Sequence, residues 1–434
     1  MPEMLKIGAR IISENGIEYR IERFIGSGGQ GEVYEVSSYE GRKALKMLNR
    51  LASTERQKAI ITDLVLNGAP SPNFLWPEDT ITDGPNGSFG YVMKLRPKEY
   101  KGIPDLFNQK INPYPHTIIK AIFNMANEYE ILHSRGYSYK DINEKNVFFH
   151  PETGQVLICD NDNVSVNAAD DSGVDGTMRY MAPEIVCNKA KPSTKTDLYS
   201  LATLIFMMLY ITHPLEGANE YKIHSLDAIA QKKLYGTHPV YIFDPINKEN
   251  QPVPGYHINA LAYKDFYPKF VSKKFETAFT DGLFHPEKRI VEREWKDICV
   301  RLLDCLIVCP NPKCGVELFY DKDGYAAGAA TTCWNCGYQF GERPLLKAGK
   351  YSVIVQPGRE IKSHHINNDY DIETTVGTIV SNPKNPSILG LRNDSSDTWV
   401  YIKPDGSQIM LSPGKSGTLA AGVKFNCGKT IISL

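Results

Sequence analysis

No stretch of this 434-residue chain is apolar for long enough to span a bilayer. The longest strongly apolar run, 201–211, falls well short of the ~20 residues required and suits a buried core helix. Net charge is equally scarce. Lys and Arg number 49 against 50 Asp and Glu, leaving −1, which argues against a whole-chain electrostatic grip on nucleic acid or anionic lipid. The first 23 residues lack the continuous apolar core of a secretion signal. Nine cysteines in so long a chain do not make a small disulfide framework. Gly (34) and Pro (27) are ordinary in number, so collagen-like and low-complexity chains are excluded, and no internal repeat is visible. What remains is 42% hydrophobic and 23% charged, a globular composition, and a soluble, cytoplasmic, reducing setting is the expectation. The length suggests about three domains at ~150 residues each.

The first 95 residues are rich in strand signals. Segments 18–25, 32–38 and 42–48 read as three short antiparallel strands joined by tight turns. Segment 54–66 reads as a helix with Ile60, Ile61, Leu64 and Val65 on one side. Pro72-Asn73-Phe74 looks like the start of the next strand, and 90–95 is another. From 114 to about 305 the pattern turns helical. Apolar positions in 117–133 repeat close to every 3.6 residues, and 198–210 is apolar nearly all round, so it should lie in a core. Segments 266–284 and 292–306 also read as helices, whereas 214–263 has no clear pattern. Four cysteines crowd into 309–340. Segment 343–350 reads as a linker, and 351–434 as short alternating runs between turn signals, the pattern of a small all-β sandwich.

Within this framework several motifs point to phosphate. Gly26-Ser27-Gly28-Gly29-Gln30-Gly31-Glu32-Val33 fits G-x-G-x-x-G-x-V, where absent side chains let backbone amides approach phosphate oxygens. A strand, not a helix, follows these glycines, which leans against a dinucleotide fold. Ala44-Leu45-Lys46 lies on the third strand, with Lys46 thirteen residues after Val33. Tyr139-Lys140-Asp141 is followed by Asn146 five residues after the Asp, and Asp160 comes fourteen residues after Asn146, behind an apolar strand. Gly176-Thr177 leads into Ala182-Pro183-Glu184. In this order and at these spacings the set resembles the protein kinase family over roughly 18–306.

The resemblance implies a bilobal fold with N-lobe 1–95 and C-lobe 96–306, ATP and Mg2+ as cofactors, and a protein substrate. It implies that Gly26, Gly28 and Gly31 cover the phosphates, Val33 and Ala44 lie over the adenine, and Phe148 lies beneath it. Lys46 would hold the phosphates, Asp141 would orient the acceptor hydroxyl, and Asn146 and Asp160 would ligate magnesium. Asp197, at the start of the central helix, would support the backbone around Asp141, and Glu184 would pair with Arg289. Gly176-Thr177 and the Ala-Pro-Glu run look like the Ser/Thr branch.

The chain also departs from the pattern. Tyr139 and Lys140 replace the usual His and Arg, and Asn143 stands where that branch has a Lys, so Lys145 becomes the candidate to reach the transferring phosphate. Asn161 replaces the usual Phe. Asp162 replaces Gly and is either a second metal ligand or, in an alternative frame, the main one. The helix acid that should pair with Lys46 is either Glu55 or Asp63. A pseudokinase scaffold is the alternative to an active enzyme. Ser165, Ser172 and Thr177 are the hydroxyls of the loop between Asp160 and Glu184.

Cys309-x4-Cys314 and Cys333-x2-Cys336 form two knuckles eighteen residues apart, the pattern of a closed, structural Zn2+ site in a zinc ribbon spanning 307–342. Two lysines face three carboxylates there, which disfavours nucleic acid. Further on, Leu391-Arg392-Asn393-Asp394-Ser395, Trp399, Pro404-Asp405-Gly406, Pro413-Gly414 and Val423-x-Phe425 resemble the later half of a forkhead-associated (FHA) sandwich over 350–434. Only Gly358-Arg359 and Ser381-Asn382 stand in for that family's phosphate-contacting Arg and Ser. The whole is therefore expected as an α+β chain: a bilobal kinase-like fold, then a zinc ribbon and a small all-β sandwich. This combination, together with Ala278-Phe279, Asp281-Gly282-Leu283 and Glu294-Trp295, is similar to bacterial kinases of the TerY-type triads. That likeness implies a protein phosphatase and a von Willebrand A-domain protein as partners, and the short apolar runs give the expectation of no membrane partner.

Overall fold

The computed structural model describes residues 4–167, 176–321 and 332–434. The chain divides into two compact units, Met1–Phe266 with Ser272–Trp295, and Tyr267–Val271 with Lys296–Leu434. Among the described residues no helix is long and apolar enough to cross a membrane.

The first unit opens with a six-stranded antiparallel sheet. Its strands are β1 (Arg10–Ile12), β2 (Glu18–Ser27), β3 (Gly31–Ser38), β4 (Gly41–Leu48), β5 (Asp79–Ile81) and β6 (Gly90–Lys94), in the order β1-β2-β3-β4-β6-β5. Alternation along β4 decides which side chains face the rest of the unit. Leu45 and Met47 join Tyr19, Ile21, Tyr34 and Val92 in a core on one face. Ala44 and Leu48 lie on the other, with Tyr91, Met93, Leu157 and Phe148. Lys46 shares that second face by the same alternation.

Helix α1 (Glu55–Asn67) is capped by Thr54, whose hydroxyl accepts from the Gln57 amide at 3.1 Å, and it buries Ile61 and Leu64. The expected strand start at Pro72-Asn73-Phe74 is instead an irregular segment, and the next strand begins only at Asp79. Pro70, Pro72 and Pro77 deny this stretch the N–H groups of a ladder. Its free groups bond elsewhere. Leu75 donates to the Ile158 carbonyl (2.8 Å) and Ile158 to that of Asn73 (2.9 Å), which ties it to the strand leading into Asp160.

The helical half is built on Pro115–Ser134 and Thr194–Tyr210. The second is buried from Thr196 to Tyr210, as its all-round apolar sequence requires. Its end packs in an aromatic cluster. Phe206 stacks on Tyr210 with centroids 4.4 Å apart and meets Phe275 edge-on at 5.0 Å. Segment 214–263, without a sequence pattern, folds as short helical pieces between turns.

In the second unit, strands Leu306–Val308 and Glu317–Phe319 pair on either side of the knuckle that carries Cys309 and Cys314. Two sheets follow. The six-stranded one runs Tyr351–Ile354, Leu345–Ala348, Ile431–Ser433, Lys424–Asn426, Trp399–Ile402, Gln408–Leu411. The four-stranded one runs Glu360–Lys362, Thr375–Asn382, Asn385–Asn393, Ser416–Thr418. Leu346, Val353, Ile361, Ile379, Leu391, Trp399 and Phe425 fill the core of this part. The stretch 343–350, expected as a linker, contains an inner strand, because Leu346 and Ala348 alternate into that core and the strand pairs on both sides. Arg359 is committed internally. Its terminal nitrogens donate to the carbonyls of Leu303, Asp304 and Leu306 at 2.9–3.0 Å. This closes the end of a helix, as cationic side chains do. His365 is buried nearby; its Nδ1 accepts from the Lys362 amide (2.8 Å), so its Nε2 carries the proton donated to Asp304 (2.9 Å).

Candidate active site

The glycine motif forms the β2–β3 hairpin. Ser27 pairs with Glu32, and Gly28 donates to the Gly31 carbonyl at 2.8 Å. Gly31 is fixed by close approach, since a Cβ there would meet the Met47 carbonyl oxygen at 2.1 Å. Around Gly26 and Gly28 the corresponding space is open. Register then aligns the roof of the cleft, because Val33 lies opposite Lys46 across β3 and β4. Ala44 shares an apolar cluster with Val33 and with Phe148 from the helical half. The Arg96 guanidinium covers the Phe148 ring, 4.2 Å from its centroid.

Lys46 is buried. Its ammonium bonds to the Asp160 carboxylate, to Asp162 Oδ2 at 2.7 Å and, more loosely, to Gln30 Oε1 at 3.4 Å. Burial alone would push the lysine's pKa down, but Asp162 and then Tyr91 and Asp160 outweigh it and hold the ammonium charged. Burial drives the Asp162 carboxyl up to about 6, against the pull of Lys46. The two acids expected from helix α1 take no part. Glu55 and Asp63 are both exposed, because the face that turns inward carries Ile61 and Leu64.

The Asp160 loop is strained and pinned. Asp160 sits in the left-handed region (φ 58°, ψ 46°), which is costly for a residue with a side chain and concentrates at functional sites. Asn161, buried where the family pattern has Phe, donates to the carbonyls of Leu75 (2.9 Å) and Ile158 (3.1 Å). Gln57 from helix α1 donates to the Asp162 carbonyl (2.7 Å), and Gln30 from the glycine hairpin to Asn163 (3.2 Å).

Asp141 lies on the preceding loop, which is tied to this one where the Cys159 amide donates to the Asn146 carbonyl at 2.9 Å. One carboxylate oxygen accepts from the Thr177 amide (2.8 Å) and hydroxyl (2.9 Å). The other accepts from Asn146 Nδ2 (3.1 Å). With its NH2 so engaged, Asn146 turns its amide oxygen the other way. Asn143 bridges the Asp141 carbonyl and the Thr177 hydroxyl at 3.0 and 3.2 Å. Lys145 is exposed and lines a cavity of about 590 Å3 with Phe148, Arg96 and Tyr100. Ser165 is half-buried, and Ser172 lies outside the described residues.

The loop is held from beneath. Asp197 accepts from the backbone amides of Tyr139 (2.6 Å) and Lys140 (2.9 Å), and from His133 Nε2 (3.1 Å). His133 also bonds to Glu292. Burial opposes its charge, yet bonds to the two carboxylates raise it to about 9. The Tyr139 hydroxyl donates to the Cys159 carbonyl, joining the Asp141 and Asp160 loops. Glu184 and Arg289 meet as expected, with two bonds at 2.7 and 2.8 Å. His133, Gln30 and Gln57 were missed as site residues, since a lone His or Gln on a helix or turn carries no spacing signal. The Asp197 and Asp160 patterns were the only handles that could have led to them.

In the second unit Cys309, Cys314, Cys333 and Cys336 converge. Their sulfurs lie 3.7 Å apart for Cys309–Cys336 and 3.8 Å for Cys314–Cys333. A tetrahedron with Zn–S bonds of ~2.3 Å has edges of about 3.8 Å. The four thiols thus have the spacing of a closed zinc site. Asn335 and Asn311 add N–H groups to the Cys314 and Cys336 sulfurs at 3.4 and 3.6 Å.

A sheet lobe and a helical lobe that meet over a lysine, two loop carboxylates and an Asp–Asn pair define a protein kinase. The protein kinase domain family matches residues 19–303, two thirds of the chain, and the chain belongs to that family. Among curated proteins it is similar to the serine/threonine-protein kinase mos of Patiria pectinifera, 26% identical over 48% of this chain and 61% of that protein. It is also similar to a probable serine/threonine-protein kinase, nek1, of Dictyostelium discoideum, at 23% over 54% and 50%. A third relative is the protein kinase YegI of Escherichia coli, at 23% over 49% and 35%. The matched part spans between a third and three fifths of the length of these relatives.

Proposed function

We propose that the chain is an ATP- and Mg2+-dependent protein kinase that transfers the γ-phosphate to a Ser or Thr hydroxyl of a protein partner. One observation carries this reading: Lys46 and Asp160 are in contact, with Asp141 bonded to Asn146 on the adjoining loop. The donor set fits a magnesium ion. One lysine faces two carboxylates, Asp160 is partly open, and the Asn146 amide oxygen is turned away from Asp141. Bound magnesium would neutralise and align the phosphates.

The chain's own residues do the rest. The hairpin from Gly26 to Gly31 offers backbone amides to the phosphates. Val33, Ala44 and Phe148 enclose the adenine, and Arg96 must yield or stack alongside. Lys46 orients the phosphates. Asp141 accepts the hydrogen bond of the acceptor hydroxyl at the oxygen now held by Thr177, which aligns that oxygen for in-line attack and gives its proton a destination. Catalysis is then mostly positioning and charge neutralisation. Lys145, which lines the cavity beside Phe148, would reach the transferring phosphate from there. The pseudokinase alternative rests on Tyr139, Lys140, Asn161 and the uncertain helix acid, and neither Glu55 nor Asp63 supplies that acid. Tyr139 and Asn161 each hold the Asp160 loop, and the Lys140 amide is anchored on Asp197.

Beyond the kinase lobes, assigned here to 1–95 and 96–306, we read 307–342 as a zinc ribbon around Cys309, Cys314, Cys333 and Cys336. We read 350–434, with the strand at Leu345 added, as an FHA-like sandwich that docks protein without a phosphate site, since Arg359 is engaged internally. The likeness to TerY-type bacterial kinases proposes a protein phosphatase and a von Willebrand A-domain protein as partners, in the cytoplasm.

The test is incorporation of labelled γ-phosphate into the chain and a generic protein acceptor. Asp141→Asn and Asp160→Asn should each lower the rate by about 1,000-fold. Activity surviving both substitutions would remove the assigned roles.

A further inference from the structure

Lys46 stands between two carboxylates that differ in kind. The Asp160 side chain is 31% exposed, whereas that of Asp162 is wholly buried. An ion entering the cleft can meet the first and not the second. Once Asp160 turns to a metal, Lys46 needs another anion, and helix α1 has none to give: Glu55 and Asp63 are exposed, and its inward residues are Ile61, Leu64 and the uncharged Gln57. Asp162 is already in place at 2.7 Å. Its second oxygen has no donor among the described residues, so Lys46 is the group that compensates its charge. Its backbone is fixed by Gln57, which donates to the Asp162 carbonyl from helix α1.

Resting on the kinase reading above, we infer that Asp162 is the standing partner of Lys46 and fills the positioning role that the family gives to an acid on helix α1. The device differs in consequence as well as in residue. A helix acid makes the lysine's alignment depend on where the helix sits. An acid two residues beyond Asp160 makes it depend on the metal-binding loop itself, with helix α1 acting only through the amide of Gln57. Asp162 is a positioning residue and not a ligand of the metal.

The full chain is assayed with Mg2+-ATP and a protein acceptor, with folding followed by circular dichroism. Asp162→Asn is expected to lower kcat about 100-fold, with the Mg2+ concentration for half-maximal rate unchanged within about twofold. Lys46→Met combined with Asp162→Asn is expected to be no slower than Lys46→Met alone, within about threefold, since both act through one contact. A kcat for Asp162→Asn within about threefold of the unsubstituted chain overturns the inference, and so does a Mg2+ requirement raised about tenfold or more, which would make Asp162 a ligand. Where the unsubstituted chain transfers no phosphate, the kinase reading fails separately. The contact is then decided, as it also is if the variants do not fold, by a crystal structure of the unsubstituted chain with Mg2+ and a non-hydrolysable ATP analogue. Asp162 on Lys46 with the metal on Asp160 upholds the inference; Asp162 in the metal shell overturns it.

Discussion

Two cations in the kinase unit each stand between two carboxylates, and they are completed differently. His133 lies between Asp197 and Glu292, deep in the helical lobe. Lys46 lies between Asp160 and Asp162, at the cleft. The charge count is the same. In the first cluster Asp197 also receives two backbone amides, so its lone pairs are filled and the pair is closed. In the second, Asp160 is partly open and its backbone is strained, while Asp162 stays buried behind Lys46. A satisfied cluster holds a loop still; an unsatisfied one is prepared to take up a further cation. The same chemistry therefore makes scaffold in one place and site in the other, and satisfaction, not burial or charge, separates them.

Three experiments sharpen this contrast. The largest effect belongs to the closed cluster. Asp197→Ala leaves two backbone amides without their acceptor and His133 with Glu292 alone, and should lower the unfolding free energy by about 3–5 kcal/mol in urea titration. Next is a pH dependence. His133 is held at about 9, above its ordinary value of 6.5, so its contribution is complete below pH 6.5 and disappears as pH rises through about 9. His133→Gln should therefore cost about 3 kcal/mol at pH 6 and almost nothing near pH 10, read from urea midpoints across that range. Should the difference stay flat with pH, the imidazole is not charged and the cluster is not the one described. Smallest is the open cluster. Asp160→Asn removes one of two like charges and leaves Lys46 paired with Asp162. Stability of the unliganded chain should stay within about 1 kcal/mol of the original, although phosphate transfer is lost.

The kinase unit was readable because its chemistry sits in short motifs whose spacing survives divergence. The Glu184–Arg289 pair and the bonds from Asp197 to the loop backbone followed from single positions in those motifs. The partner of Lys46 did not. Sequence reasoning looked for an acid on the helix, where the family keeps it, and spacing cannot reveal which face of α1 turns inward when its acids lie at Glu55 and Asp63. Asp162 was visible as a departure from Gly, but which cation it would meet depends on a left-handed turn at Asp160 that no pattern announces. In the second unit the cysteine spacing was enough to bring four sulfurs together. The strand at Leu345–Ala348 was hidden by its brevity and by the Arg343-Pro344 before it, which reads as a boundary.

Arg359 has a practical corollary. With its terminal N–H groups occupied by the carbonyls of Leu303, Asp304 and Leu306, that arginine is not free to choose between a modified and an unmodified threonine. Under the docking role proposed above, affinity capture with a phosphopeptide library is expected to return no partner. Whole folded proteins are the better bait, and dephosphorylating the extract beforehand should leave the catch intact.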